Sequence, residues 1–371
     1  MVERRPRVLP RIARAAAILG TLSLLAPLTS VAHAAEPQPV AADGDYVARE
    51  FRFDDGTSLP ELRLHYETLG TPKRDVSGAV TNAVLLLHGT TGTGRQFLAP
   101  ADTKELFAPG KPLDTTRFYV VMPDGIGAGG SSKPSDGLKA RFPHYGYGDQ
   151  VEAQRVLIED GLGIHHLDLI LGTSMGGMQA WLWAERHPDM MDGTVAIAAT
   201  PAPVVGRNMM WRDMVIDAIT ADPDFKGGDY TIEPHEWRSM LPLFTIMTND
   251  ARHLQAQAPT RETALSLDGK LVAAGDKIDA DDYLYSFQSS RDFDPSGSLD
   301  RIAKPLLAIN FGDDLLNPAE LGLTEAAMEH VKSGTATLIP AGPDTFGHQT
   351  LGHPEVWGAA LASFMGKLPT R

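Results

Sequence analysis

Short apolar runs, each four to eight residues long and closed by Gly, Pro or Asp, recur along most of the chain. They fall at residues 83–87, 118–122, 167–171, 194–198, 305–310 and 336–339. Between them, 148–160, 175–186, 318–331 and 354–365 carry apolar residues at helical spacing. Runs this short and continuously apolar, alternating with helices, predict a parallel sheet buried on both faces, an α/β fold. The N-terminal part reads differently. Residues 46–53 and 61–68 alternate in the manner of half-exposed strands, with Asp55-Gly56 as a hairpin-type turn. Residues 200–300, rich in Met, Trp and Asp-Pro, interrupt the alternation with helical patterning and no strand of the buried type. Placed between two strand runs, they predict a helical lid over one end of the sheet, with 46–199 and 301–371 as the core. A packing insertion without a role in substrate choice is the plainer reading.

The 371 residues carry a formal charge of −14 and include no cysteine. The acidic balance argues against a nucleic-acid or anionic-membrane partner, because neutralising phosphates needs a basic face. Without cysteine there is no disulfide, thiolate metal site or cysteine nucleophile. At the start, Arg4, Arg5, Arg7, Arg11 and Arg14 precede an apolar stretch from 15 to 28 and then Ala32-His33-Ala34. This is the pattern of a signal peptide, residues 1–34, cleaved near Ala34. The apolar stretch is too short for a stable membrane anchor and Pro27 breaks it. The expectation is an exported protein, periplasmic or extracellular, with residues 35–45 as a loose leader. Cleavage removes five Arg and one Glu and leaves 28 basic and 46 acidic residues, a net of −18.

Gly172-Thr173-Ser174-Met175-Gly176 is a G-x-S-x-G motif with an apolar run before it and a helical pattern after it. That context is a nucleophile elbow, where a sharp turn lifts the serine above the sheet. A capping serine in an ordinary strand-to-helix turn is the plain alternative. A serine hydroxyl at its free pKa is a weak nucleophile, so a base and an orienting acid are required downstream. The run 305–310 leads into Phe311-Gly312-Asp313-Asp314, on the same sheet edge as the elbow. Asp314 is preferred there, with Asp313 the competing candidate. The loop after 336–339 carries His348, preferred as general base; His353, beside Pro354, competes but better suits the start of the last helix. The remaining histidines, His235 and His253 among them, lack metal-ligand spacing. For an oxyanion hole, Met175 N–H follows the nucleophile and Thr90 N–H follows the strand ending in His88-Gly89. The glycine-rich stretch at 89–92 lacks the Lys-Ser/Thr ending of a phosphate loop. The reading calls for no cofactor and no metal.

Serine, acid and histidine in this order on a parallel sheet resemble the α/β-hydrolase fold over nearly all of 46–367. More narrowly, the chain resembles the homoserine O-acetyltransferase family and its hydrolase relatives. The likeness rests on Gly172–Ala180 at the elbow, Asp217–Phe225 and Gly228-Asp229-Tyr230 in the insertion, Asp314-Leu315-Leu316 and Gly347-His348-Gln349. The resemblance implies that Ser174, Asp314 and His348 form a triad.

Three departures bear on the substrate. Ile216 stands where acetyltransferases of the family carry an arginine thought to help hold homoserine. The elbow has Thr173 where Gly-Gly-Ser is usual, and Asp124-Gly125-Ile126-Gly127 replaces an Asn-x-x-Gly-type segment. Export is a further objection to a CoA-dependent biosynthetic transferase. The sequence reading is therefore a secreted serine esterase acting on a small-molecule ester, with water as acceptor. An O-acyltransferase of the homoserine O-acetyltransferase type is the alternative, and a non-catalytic binding protein a third. Met209, Met210, Trp211, Met214 and Trp237 hint at an apolar, adaptable pocket or simply at core packing. The natural ester, acyl length and oligomeric state are not legible.

Overall fold

A computed structural model describes residues 40–369. The expected signal peptide and its cleavage point lie outside the described residues.

Eight strands form one sheet in the order β1-β2-β4-β3-β5-β6-β7-β8. They are β1 (Ala42–Arg52), β2 (Ser58–Leu69), β3 (Ala83–Leu87), β4 (Tyr119–Pro123), β5 (Leu169–Thr173), β6 (Thr194–Ile197), β7 (Leu306–Phe311) and β8 (Gly334–Ile339). From β4 to β8 every pairing is parallel, while β1 and β2 form an antiparallel hairpin that joins β4 antiparallel. Each apolar run of the sequence lies on a strand, with ends that differ by at most two residues. β1 begins four residues before the expected position, inside the stretch read as a loose leader.

The helices are α1 (Pro100–Asp102), α2 (Tyr147–Val156), α3 (Met175–Arg186), α4 (Gly206–Ala221), α5 (Leu241–Thr248), α6 (Ala251–Gln257), α7 (Arg261–Ala274), α8 (Ala280–Gln288), α9 (Leu323–Met328) and α10 (Pro354–Met365). Strand alternation divides the interior into two cores. Val84 and Leu86 of β3 and Leu169 and Leu171 of β5 meet Trp357, Leu361 and Phe364 of α10. Ala83, Leu85, Leu87 and Ile170 point the opposite way, to Met178, Leu182 and Trp183 of α3. Both faces of the central strands are thus covered, as continuous apolar runs require. β8 departs from that expectation: it is an edge strand, and no residue in it is fully buried. The helix expected over 318–331 is reduced to the six residues of α9, because Gly322 sits at φ +60 and separates it from the turn before it.

Helices α4 to α8 lie between β6 and β7 and pack around a core of their own. Trp211, Ile216 and Ile219 of α4 pack there with Tyr283 and Phe287 of α8 and with Trp237, and Leu316 extends from the sheet side. Among the described residues, no helix is long and apolar enough to cross a membrane.

Candidate active site

β5 runs straight into Ser174, which adopts φ 53 and ψ −116 before α3 begins at Met175. A non-glycine residue at positive φ is strained, and here the strain turns the hydroxyl out of the sheet. The turn is possible only because its neighbours lack side chains. A Cβ on Gly172 would stand 1.9 Å from the Gly176 carbonyl oxygen, and one on Gly176 would stand 2.1 Å from the Leu87 carbonyl oxygen.

The Ser174 hydroxyl lies 2.8 Å from His348 Nε2, and His348 Nδ1 lies 2.7 Å from Asp314 Oδ2. With Nδ1–H donating to the carboxylate, Nε2 is left to accept from the serine O–H, the arrangement a general base needs. Burial alone would push the Asp314 carboxyl up. The adjacent His348 and hydrogen bonds from His348, Asn317 and Leu316 N–H outweigh it and hold the carboxyl below its ordinary value. Of the two competing aspartates, then, Asp314 faces the imidazole. Asp313 turns away and accepts from Thr345 Oγ1 at 2.7 Å and Arg252 Nη2 at 3.1 Å. His353 precedes the first turn of α10, stacks on Phe346 at 3.8 Å and bonds Glu355. His253, on the other side of Phe346 at 4.0 Å, pairs with Asp250 at the start of α6. The loop carrying His348 is therefore clamped by a ring from the core and a ring from the insertion.

Thr90 lies on the loop after β3, and a Cβ on the adjoining Gly89 would come within 3.5 Å of Ser174 Cβ. Met175 is the first residue of α3, so its N–H belongs to the unsatisfied donors of a helix start. Met175 thus adjoins the serine in the chain, and Thr90 adjoins a glycine that packs against it.

Sequence reasoning missed the residues that hold this frame. Thr173 Oγ1 accepts from Gln96 Nε2 at 2.8 Å, and Gln96 Oε1 accepts the Gly89 N–H at 3.0 Å. Thr173, a departure from the family pattern, has a structural use here. His88 Nε2 accepts the Gly125 N–H at 2.9 Å, so its proton resides on Nδ1 and is donated to the Gly89 carbonyl at 2.8 Å. Burial pushes His88 below its ordinary pKa, in keeping with this neutral form. Asn317 donates to Asp314 Oδ2 at 2.9 Å and to the Ala198 carbonyl at 2.8 Å. An asparagine three residues after an aspartate gave no signal in the sequence, because its second partner, Ala198, follows a distant strand, β6.

A cavity of about 450 Å3 opens beside the serine. His88, Thr91 and Met175 form its floor, and Leu241, Phe244, Leu271 and Tyr283 of the insertion form an apolar wall. Lys133, Lys277, Asp279 and Asp282 also line it. Among the described residues no cluster of three or more His, Asp or Glu could hold a metal ion.

Residues 82–327 match the alpha/beta hydrolase fold family. The chain is 31% identical over 372 residues to a homoserine O-acetyltransferase of Haloarcula marismortui, covering 85% of this chain and 89% of that one. It is 31% identical over 309 residues to a homoserine O-succinyltransferase of Magnetococcus marinus, covering 72% and 76%. Among solved structures, a homoserine O-acetyltransferase from Bacillus anthracis superposes with a TM-score of 0.77 at 20% identity, over 89% of this chain and 99% of that one. Esterase E22 superposes with 0.76 at 20% identity, over 88% and 100%. At that identity the superpositions speak for the fold alone.

These relatives correct the expectation of a secreted serine esterase, since the curated proteins that align over most of the chain are O-acyltransferases. The sequence misled for a physical reason. Hydrolysis and acyl transfer share serine, histidine, acid and oxyanion donors, and differ only in which hydroxyl reaches the acyl-enzyme. The arguments for water rested on export and on the absence of an arginine at Ile216, and neither bears on that competition directly. The chain is an enzyme of the α/β-hydrolase fold, and it belongs to the branch formed by the homoserine O-acetyltransferases and their hydrolase relatives.

Proposed function

We propose that this protein is a serine-dependent O-acyltransferase that moves a short acyl group, acetyl or succinyl in class, onto the hydroxyl of a small homoserine-like acceptor. The observation that carries this reading is the 31% identity to a homoserine O-acetyltransferase across 85% of the chain. The hydrogen-bonded series from Ser174 to His348 to Asp314 supplies its chemistry.

Ser174 Oγ attacks the carbonyl of an activated acyl donor while His348 Nε2 takes its proton. The negative oxygen of the tetrahedral intermediate accepts from the Thr90 and Met175 N–H groups. Collapse breaks the bond to the leaving group, which takes the proton from His348, and leaves an ester on Ser174. The acceptor hydroxyl then gives its proton to His348, its oxygen attacks the ester, and Ser174 departs with that proton. Asp314 keeps the imidazole in the productive tautomer throughout. The insertion helices wall the cavity with apolar side chains, which disfavours water as the competing acceptor.

The test is mass-spectrometric product analysis with acetyl-CoA or succinyl-CoA and homoserine, with Ser174→Ala as blank. O-acylhomoserine that depends on Ser174 supports the reading. Free acid as the sole serine-dependent product overturns it.

A further inference from the structure

The Asp124-Gly125-Ile126-Gly127 segment, a departure from the family pattern, has no part in the triad. Asp124 directly follows β4 and is only 3% exposed. Its Oδ1 accepts the Gly94 N–H at 2.8 Å, and its Oδ2 accepts the Gly130 N–H at 2.8 Å. Those amides belong to two loops that line the cavity, one through residues 91–93 and the other through 126–129. The first loop also carries Thr90, the expected oxyanion donor. The backbone of Asp124 is tied to β2 in turn. Its N–H donates to the His65 carbonyl at 2.9 Å, and its carbonyl accepts from the Ser131 hydroxyl, which itself accepts the His65 N–H at 3.0 Å.

Two N–H donors arriving from different segments need an acceptor each. A carboxylate offers one on either oxygen, whereas an amide offers an acceptor on one side and donors on the other. Asparagine at this position would turn its NH2 toward one of the two backbone N–H groups, and that group would lose its partner. The packing leaves no room to adjust, since a Cβ on Gly129 would stand 2.0 Å from Asp124 Oδ2.

A second acid lies beside the first. Glu67 of β2 is 1% exposed, and a Cβ on Gly94 would stand 2.7 Å from its Oε2, which has no hydrogen-bond partner. Its Oε1 pairs with Arg95 at 3.3 Å. Burial, then the charge of Asp124, pushes the Glu67 carboxyl up, with His65 and Arg95 opposing. The two acids are neighbours, but of the two it is Asp124 that accepts the backbone N–H groups.

We propose that Asp124 is a positioning residue for acylation of Ser174, a two-sided clamp that sets the oxyanion loop and the 126–129 wall of the cavity against each other as one unit. The inference rests on the acyl-transfer reading above as far as the acyl-enzyme on Ser174, and takes nothing from the identity of the acceptor. Donors and walls that are fixed in advance favour the transition state, so a released loop is felt in the acylation step itself.

The test is the pre-steady-state release of p-nitrophenol from p-nitrophenyl acetate by wild type, Asp124→Asn and Glu67→Gln. Both substitutions remove one buried carboxylate at nearly the same place, and only the first removes an acceptor from a loop. Loss of folded protein lowers the burst amplitude and leaves the rate constant per active site unchanged, whereas a misplaced loop lowers the rate constant. Asp124→Asn is expected to reduce the acylation rate constant over Ks about tenfold, and by at least about fivefold more than Glu67→Gln does. A smaller gap between the two variants overturns the proposal. Hydrogen exchange gives a second readout that needs no reaction. The Gly94 or the Gly130 amide is expected to exchange about tenfold faster in Asp124→Asn than in Glu67→Gln, and equal exchange overturns the clamp. Should Asp124→Asn fail to fold, wild type decides. Protection of both amides by about tenfold or more over the unfolded-chain rate supports the clamp, and either amide unprotected overturns it. Free acid as the sole product would sink acyl transfer and leave the acylation constants as they are. Should p-nitrophenyl acetate leave Ser174 unacylated, the acyl-transfer reading fails by itself and the exchange rates decide on Asp124.

Discussion

The Thr173 hydroxyl accepts a hydrogen bond from the Gln96 side-chain amide at 2.8 Å, and the other end of that amide holds the Gly89 N–H. The residue before the nucleophile thus fixes the loop that presents Thr90. Oxyanion donors work by being in place before charge develops. Gln96→Leu is expected to lower kcat about tenfold or more with little change in KM, as lost preorganisation of one donor would. A variant with the wild-type kcat in pre-steady-state acylation would show that the loop holds itself.

Asp314 orients His348 and is itself held by Asn317. Asp314→Asn should reduce kcat by about 10^3-fold or more, through loss of the productive tautomer. Asn317→Ala should cost less, about tenfold, because the carboxylate keeps its bond to Leu316 N–H. A reversed ranking in steady-state rates would contradict the geometry.

Gly176→Ala places a methyl group where the Leu87 carbonyl already stands. The elbow cannot yield without moving β3, so this variant is expected to lose acylation of Ser174 and to unfold at lower temperature. Titration with an active-site fluorophosphonate, read beside circular dichroism, checks both.

Two acids of the insertion give stability an unusual dependence on pH. Asp281 is wholly buried with neither carboxylate oxygen hydrogen-bonded. Burial, then the charges of Asp279 and Asp282, push it to about 7, and Glu233 is likewise raised to about 7, chiefly by burial. An acid raised on folding is penalised once the unfolded chain ionises, so its contribution to stability declines as pH rises from about 4 to about 7. Asp314 is lowered, and its contribution is complete above about pH 4 and lost as pH falls through its folded value. Asp281→Asn should therefore raise the Tm at pH 8 by about 2 °C or more and narrow the difference between pH 5 and pH 8. Parallel melting curves for variant and wild type across that range would refute this.

The strands and the serine elbow were legible because their causes are local. A run such as 83–87 is apolar throughout only if both faces are covered, and a serine between glycines after such a run has few other uses. The choice between Asp314 and Asp313 rested only on position along the loop and stayed open there, since adjacent aspartates differ only in which way the chain turns after Gly312. The pairing of Thr173 with Gln96, separated by 77 positions, left no pattern at all. The acceptor was misread because competition between water and another hydroxyl is decided by the walls of a cavity assembled from distant helices, whereas the motifs describe only its floor.

Asp313, the aspartate that does not touch the histidine, receives hydrogen bonds from Arg252 on α6 and from Thr345, three residues before His348. One carboxylate thus bonds both a helix of the insertion and the loop that leads to His348. The place of α6 and the place of the His348 loop are in this way joined through one side chain. A change in how the insertion sits on the core is therefore felt at the imidazole that bonds Ser174.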